Sequence, residues 1–454
     1  MKTEEKFVKF ICKTKFSDLP PIMLEVIKKQ VLTIIGTTIG GASAEGCDTV
    51  VKLARELGGK EEASILIYGG KVPAQQAAFV NGTMARALDF CDALAPGPHI
   101  GAATIASALA AAEIRGGCSG KEFLAAITVG AEVSVRLNLN EYQYGGFDPT
   151  GVVVVFSSTA AAARILGLSE EETWNALGLA FNKCGGSFQS HVDGSLAVRI
   201  NEGWVAETGI TCARLASRGI SGPKNFLEGV YGYFHLFGRG QVTGEMVTAG
   251  LGKTYNLEKI VFKLFPSCGS TQGGTEAILN LMDEEGFEAD DVKHVCLKVP
   301  PYTYKLIGHP FRIGNNPKVD AQFSIRYCIA NALLRKGALL KHFEEEAINN
   351  PKILELVEKI EVISDVEMEQ RGHTALDMKV VLKSGKEYFK KHDKAPGFPQ
   401  KPLTAEQHMH RFMDCINYSG RSLSLEKIDT LVNAVDELDS LSDVRSLNSL
   451  LIFD

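Results

Sequence analysis

The stretch from Ala102 to Ala112 reads Ala-Ala-Thr-Ile-Ala-Ser-Ala-Leu-Ala-Ala-Ala. Ala is the strongest helix former, and a helix with so little side-chain bulk lets its neighbours approach closely. Such a helix belongs at the centre of a helical bundle. The segments around it agree. Pro20-Pro21 opens a run with Ile22, Leu24, Val26, Ile27, Val31, Leu32, Ile34 and Ile35 at helical spacing. Val72 to Phe90 is a second helical stretch, after a short extended piece at Ile65-Leu66-Ile67-Tyr68 and the pair Gly69-Gly70. Ser169-Glu170-Glu171-Glu172 is a capping box ahead of Trp174 and Leu177.

The pattern changes after about residue 260. Val292 to Pro300 and Asp377 to Lys383 alternate as strands, and Ser384-Gly385 turns the chain towards Tyr388. Helical patterns at 320–336 and 351–360 lie between them, and 404–417 and 424–439 are helical again. The expected architecture is mainly α. Residues 1–261 plus 404–454 form a large all-α helical domain, and residues 262–403 an inserted, smaller α+β domain. A chain of 454 residues has room for two or three domains. The 45 glycines exceed ordinary usage, a surplus suited to loops that approach a ligand.

Charge narrows the function. Forty-eight basic against 54 acidic residues give a net charge of −6, against nucleic-acid binding, which goes with a basic excess. No charge-free apolar run is long enough for a membrane span. Met1-Lys2-Thr3-Glu4-Glu5-Lys6 is too charged to lead into a signal-peptide core, so a cytoplasmic location is expected. None of the ten cysteines forms a C-x-x-C pair, which disfavours a zinc ribbon or ferredoxin-type cluster and suits buried reduced thiols.

The chemistry concentrates in Asn81-Gly82-Thr83-Met84-Ala85-Arg86-Ala87-Leu88-Asp89-Phe90-Cys91-Asp92, followed by Pro96-Gly97-Pro98-His99. Asp89 and Asp92 are three apart, and a Pro/Gly-rich loop then presents His99 just before the small-residue helix. A carboxylate beside an imidazole orients the ring and raises its basicity, as proton transfer requires. The plainer alternative is a helix end with solvated acids. Among the other histidines, His191 reads as a loop hydrogen-bonder, His309 as a loop residue, and His408 and His410 as helix-surface residues. Lys390-Lys391-His392-Asp393-Lys394 reads as a solvated loop.

These residues resemble the MmgE/PrpD family, whose phrase is roughly N-G-x-x-x-H-x-L-D-F-D-D followed by a loop and H-P. The similarity continues in order. Gly145-Gly146-Phe147-Asp148-Pro149-Thr150 resembles G-F-H-x-T. Asp193-Gly194-Ser195 through Arg199, Gly203 and Gly209 resembles D-G-x-x-x-K-R-x-H-x-G. Phe262-Lys263-Leu264-Phe265-Pro266-Ser267-Cys268 resembles K-x-Y/F-P-x-C/H, and Asp320-Ala321-Gln322-Phe323-Ser324-Ile325-Arg326-Tyr327 resembles A-R-F-S-x-x-Y. Lys401-Pro402-Leu403-Thr404 resembles N-P-L-T. The resemblance implies a helical domain with a lid domain, an active site between them, a homodimer, and no metal or organic cofactor. It implies a small di- or tricarboxylate substrate from which a proton is taken next to a carboxylate, with no nucleic-acid or membrane partner.

Carried over position by position, the resemblance makes Asp89, His99, Lys263 and Tyr327 the candidate catalytic residues. Asp92, Asp148, Arg199, Ser267, Cys268 and Gln272 become candidate substrate contacts, Arg199 by a two-pronged grip on a carboxylate. The departures matter as much. Arg86, Asp148, Asn201 and Gln272 stand where the family has histidines, Val198 where it has lysine, Cys91 where it has aspartate. Fewer cations suit a substrate with fewer carboxylates, or one with an amine for Asp148. The expected activity is a cofactor-independent, dehydratase-like lyase. The alternatives are an epimerase of an amino or imino dicarboxylate and a non-catalytic carboxylate binder.

Overall fold

The computed structural model describes residues 1–95 and 97–453. Pro96, in the loop before His99, lies outside them. The chain divides into two compact units. The first comprises Met1–Ser190, Leu196–Ile260 and Cys415–Asp454; the second comprises His191–Ser195 and Val261–Asp414. The short motif Asp193-Gly194-Ser195 thus belongs to the second unit and Arg199 to the first.

The first unit is helical. Its main helices are α1 (Pro21–Gly41), α2 (Ala74–Arg86), α3 (Gly101–Arg115), α4 (Gly120–Leu137), α5 (Val155–Ile165), α6 (Glu170–Phe181) and α7 (Ala197–Ala216). The small-residue helix α3 is buried from Gly101 through Ala112, and α2, α5 and α7 all pack on it. Close approach is literal: a Cβ on Gly203 of α7 would lie 2.3 Å from Thr83 Oγ1 and 2.6 Å from the Phe79 carbonyl of α2. The Ser169 box forms as expected, its hydroxyl accepting from the Glu172 N–H while Glu172 reaches back to the Ser169 N–H. Ahead of α5 the chain makes one π-helical turn, Thr150–Val154, which the sequence did not signal. Ser134 of α4 donates to the Val153 carbonyl in that turn at 2.9 Å.

The second unit carries a four-stranded sheet built from β1 (Val292–Val299), β2 (Ile360–Ser364), β3 (Leu376–Leu382) and β4 (Glu387–His392), in the order β2-β1-β3-β4. β1 runs parallel to β2 and antiparallel to β3, with Leu297 facing Val362 on one side and Met378 on the other. Alternate residues of β3 are buried: Leu376, Met378, Val380 and Leu382. They join Ile278 and Leu281 of α8 (Gln272–Glu285) and Ile329 and Leu333 of α9 (Ile325–Arg335) in one apolar cluster.

Three readings need correction here. The helix expected over 320–336 is broken at Phe323-Ser324, where Ser324 caps α9 by accepting from the Tyr327 N–H. The run at Lys390 is no loop. It closes edge strand β4, with Lys390 paired to Glu284 and His392 buried, and lysines on an edge strand deter further pairing. His408 is buried and packs edge-on to the Phe262 ring, 5.0 Å between centroids; His410 is exposed as expected. Among the described residues no helix is long and apolar enough to cross a membrane.

Candidate active site

In the first unit the site begins where α2 ends. After Arg86 the chain turns, and Asp89 takes φ +51°, the left-handed region that costs an L-residue energy unless its surroundings enforce it. The enforcing contacts are visible. The Asp89 N–H donates to the Arg86 carbonyl at 3.1 Å, and Arg86 Nη1 forms an ion pair with Asp89 Oδ1 at 2.7 Å. Both side chains are buried. Burial opposes the Arg86 charge, but Asp89 first, then Cys91, Glu202 and Asp148, more than offset it, and its pKa is raised.

His99 faces this pair. Its Nε2 lies 3.7 Å from Asp89 Oδ1. Its Nδ1 lies 2.8 Å from the Asp92 carbonyl and 3.3 Å from Cys91 Sγ. A carbonyl oxygen can only accept, so Nδ1 carries the proton and Nε2 lies on the Asp89 side. The backbone is held too, by the His99 N–H donating to Thr150 Oγ1 at 3.2 Å.

Asp92 is fully buried and its carboxylate is engaged. It accepts from Gln30 Nε2 at 2.9 Å, from the Ile100 N–H at 3.3 Å and from the Gly101 N–H at 3.0 Å. The two backbone donors sit at the N-terminus of α3, one on its N-cap residue Ile100 and one on its first residue Gly101. Glu202 of α7 serves the same helix end, accepting from the Ala103 N–H at 3.1 Å. Burial pushes both carboxyls up, Glu202 well above its usual range. Glu202 stayed silent in the sequence, because nothing in the order of residues relates position 202 to 103.

Asp148 and Asn201, two of the departures from the family phrase, are bonded to one another: Asn201 Nδ2 donates to Asp148 Oδ2 at 2.8 Å. The other Asp148 oxygen accepts from the Thr150 N–H at 2.9 Å. Arg199 stands apart, its Nη1 donating to the Glu45 carbonyl at 2.6 Å, and burial lowers its pKa.

In the second unit, Lys263 follows the short strand Val261–Phe262 and is buried. Two buried amides clamp the loop after it. Gln272 accepts from the Phe265 N–H and donates to the Phe265 carbonyl, both at 2.9 Å. Gln322, at the arginine position of A-R-F-S, donates from its side-chain amide to the Pro266 carbonyl at 2.9 Å, and its main-chain carbonyl accepts from the Cys268 N–H at 3.0 Å. Ser267 Oγ pairs with Thr271 Oγ1 at 2.7 Å. Tyr327 is fully buried; its hydroxyl donates to the His342 carbonyl, its ring packs between Phe311 and Phe343, and burial pushes its pKa up to about 12.

Each unit thus gathers its own set. Asp89, Asp92, His99 and Asp148 are linked in the first, and Ser267, Cys268 and Gln272 share one clamped loop beside Lys263 in the second. Asp92, Gln272 and Tyr327 spend their polar atoms on the protein itself.

Comparison with known proteins gives two family models in succession. Residues 5–245 match the MmgE/PrpD N-terminal domain and residues 265–437 the MmgE/PrpD C-terminal domain. Human cis-aconitate decarboxylase is 27% identical over 98% of this chain and 94% of its own length. The cis-aconitate decarboxylase of Aspergillus terreus is 24% identical, covering 95% and 92%. The 2-methylcitrate dehydratase of Escherichia coli K12 is 28% identical over 64% of this chain and 62% of its own.

Proposed function

Since the chain belongs to the MmgE/PrpD family, we propose that it is a lyase that removes a proton next to a carboxylate of a small di- or tricarboxylic acid and then expels water. Enzymes named for decarboxylation and dehydration among its relatives support a lyase on small carboxylates. The observation that carries the proton-transfer step is His99 between the Asp92 carbonyl and Asp89. With Nδ1–H committed to the carbonyl, Nε2 takes the substrate proton. The Asp89 carboxylate stabilises the positive charge that the ring gains, while Arg86 holds that carboxylate in place.

In this reading Lys263 and Arg199 receive substrate carboxylates. Ser267 and Cys268 line the pocket from the Lys263 loop. Asp92, Gln272 and Tyr327 act as supports, because their polar atoms are already bonded within the protein. Asp148 has both oxygens engaged, which weakens the case for a substrate amine there. A homodimer belongs to the reading, with Trp204 and Leu215 exposed along α7 as surface for it; light scattering at twice the chain mass would bear it out. A cytoplasmic location fits ten free thiols.

Epimerisation is the second reading, favoured by one observation: where the family has two imidazoles this chain has an Asp148–Asn201 pair bonded to itself. That leaves fewer groups to protonate a departing hydroxyl. The purified protein in D2O with 2-methylcitrate, citrate, cis-aconitate, iminodisuccinate and simpler hydroxy and amino dicarboxylates, followed by NMR, separates the two. Loss of water identifies a dehydratase. Deuterium in an unchanged skeleton identifies an epimerase. His99→Gln should lower whichever rate is found by about 10²–10⁴-fold; full activity in that variant would sink the mechanism.

A further inference from the structure

Asp148 and Asn201 lie far apart in sequence. They nevertheless end a continuous chain of hydrogen bonds that reaches the His99 backbone. Asn201 Nδ2 donates to Asp148 Oδ2, the Thr150 N–H donates to Asp148 Oδ1, and the His99 N–H donates to Thr150 Oγ1, at 2.8, 2.9 and 3.2 Å. Asp148 and Thr150 are buried. The pair is also wedged from outside. The Asp148 N–H donates to the Gly186 carbonyl at 3.0 Å, and the Gly185 N–H to the Gly151 carbonyl at 3.1 Å. A Cβ on Gly186, which has φ +102°, would lie 3.1 Å from Asn201 Nδ2; one on Gly151 would lie 1.9 Å from the Gly185 carbonyl.

We propose that the Asp148–Asn201 pair is a positioning device for His99, fixing through Thr150 the loop that carries the imidazole. The inference rests on the proton-transfer reading of His99 for its catalytic consequence, though not for its structural one. Two features favour it over a plain packing contact. Thr150 meets the chain from both sides, its N–H held by Asp148 and its hydroxyl holding His99, so the turn before α5 transmits the position of one to the other. The acceptor for the Asn201 amide is a carboxylate, and charge-assisted bonds are the stronger and more directional kind. The two replacements therefore act as a unit: each supplies what the other needs.

The test reads the loop before it reads turnover. Asn201→Asp sets two carboxylates face to face in a buried place and should drive them apart. Asp148→Asn/Asn201→Asp restores one donor and one charged acceptor with the roles exchanged. Hydrogen–deuterium exchange is followed in the peptide covering 97–102, which contains the His99 N–H, and in a peptide within 204–214 of α7. Exchange in the first should rise about tenfold or more in Asn201→Asp while the second holds, and the double variant should return it. With a substrate from the acid panel, kcat should fall by about 10²-fold in Asn201→Asp at little cost in KM, since a shift of an ångström in a reacting group has that effect. If Asn201→Asp does not fold, Thr150→Val tests the same link, with Thr150→Ser as the rescue that keeps the hydroxyl.

Exchange that stays unchanged at 97–102 in Asn201→Asp or Thr150→Val, or that rises equally in the α7 peptide, overturns the proposal. Full turnover in His99→Gln would sink the proton-transfer reading alone, because the exchange measurement needs no substrate.

Discussion

Asp89 concentrates the cost of the site in one residue. It is buried, held at φ +51°, and faces both Arg86 and His99. Asn tolerates the left-handed region as well as Asp does, so Asp89→Asn changes charge without changing backbone strain. It leaves Arg86 a buried cation without its ion-pair partner, a loss of about 3 kcal/mol, and kcat should fall together with the melting temperature. Calorimetry and turnover on one preparation check this; an unchanged melting temperature would mean the pair holds little. Asp414 offers a pH test in the other unit. Burial raises its pKa from 3.8 to about 6, against the Leu340 N–H bond and the nearby His410, Lys341 and Arg411. A carboxyl raised on folding stabilises the fold when protonated. That contribution is full below pH 4 and is lost as pH rises through about 6, up to roughly 2–3 kcal/mol. Asp414→Asn keeps an acceptor for the Leu340 N–H but cannot ionise. It should match the wild type near pH 4 and exceed its melting temperature above pH 6; parallel curves would refute the assignment.

At the scale of elements, the packing of small residues was legible and long-range capping was not. Ala102 to Ala112 announced a central helix because residues without bulk can do little else at that length. Strand β2 escaped because its five residues follow directly on the helical pattern at 351–360, and a short edge strand has too few alternations to stand out. The α3 N-terminus is capped from Asp92 and from Glu202, and only Asp92 is a sequence neighbour. The glycines of the crossing helices permit a prediction at this scale. A Cβ on Gly41 of α1 would lie 1.9 Å from the Met84 carbonyl of α2, where backbone leaves nothing to rotate aside. Gly41→Ala should destabilise the protein by about 3 kcal/mol, by overpacking. Gly337→Ala, with open space around it, should be close to neutral. Equal melting temperatures for the two would contradict the close crossing.

For the molecule as a whole, Asp89 and His99 were visible in one stretch of sequence. The ring tautomer, the Asp148–Asn201 chain and the Gln272–Gln322 clamp were not, because each depends on contacts that only folding brings together. Gln272, in a histidine's place, read as a candidate substrate contact, and its amide is bonded to the backbone of the Lys263 loop. The role proposed for Lys263 has a thermodynamic signature. A ligand bound only to the folded state stabilises it by about 2.7 kcal/mol at one hundred times its Kd. If Lys263 supplies the positive charge that holds a carboxylate of the acid, the stabilisation must vanish when that charge is removed. Lys263→Met should therefore abolish the melting shift given by the best-bound acid of the panel, and His99→Gln should keep most of it, since that variant removes a proton acceptor and leaves the cations. A full shift in Lys263→Met would remove Lys263 from the binding site.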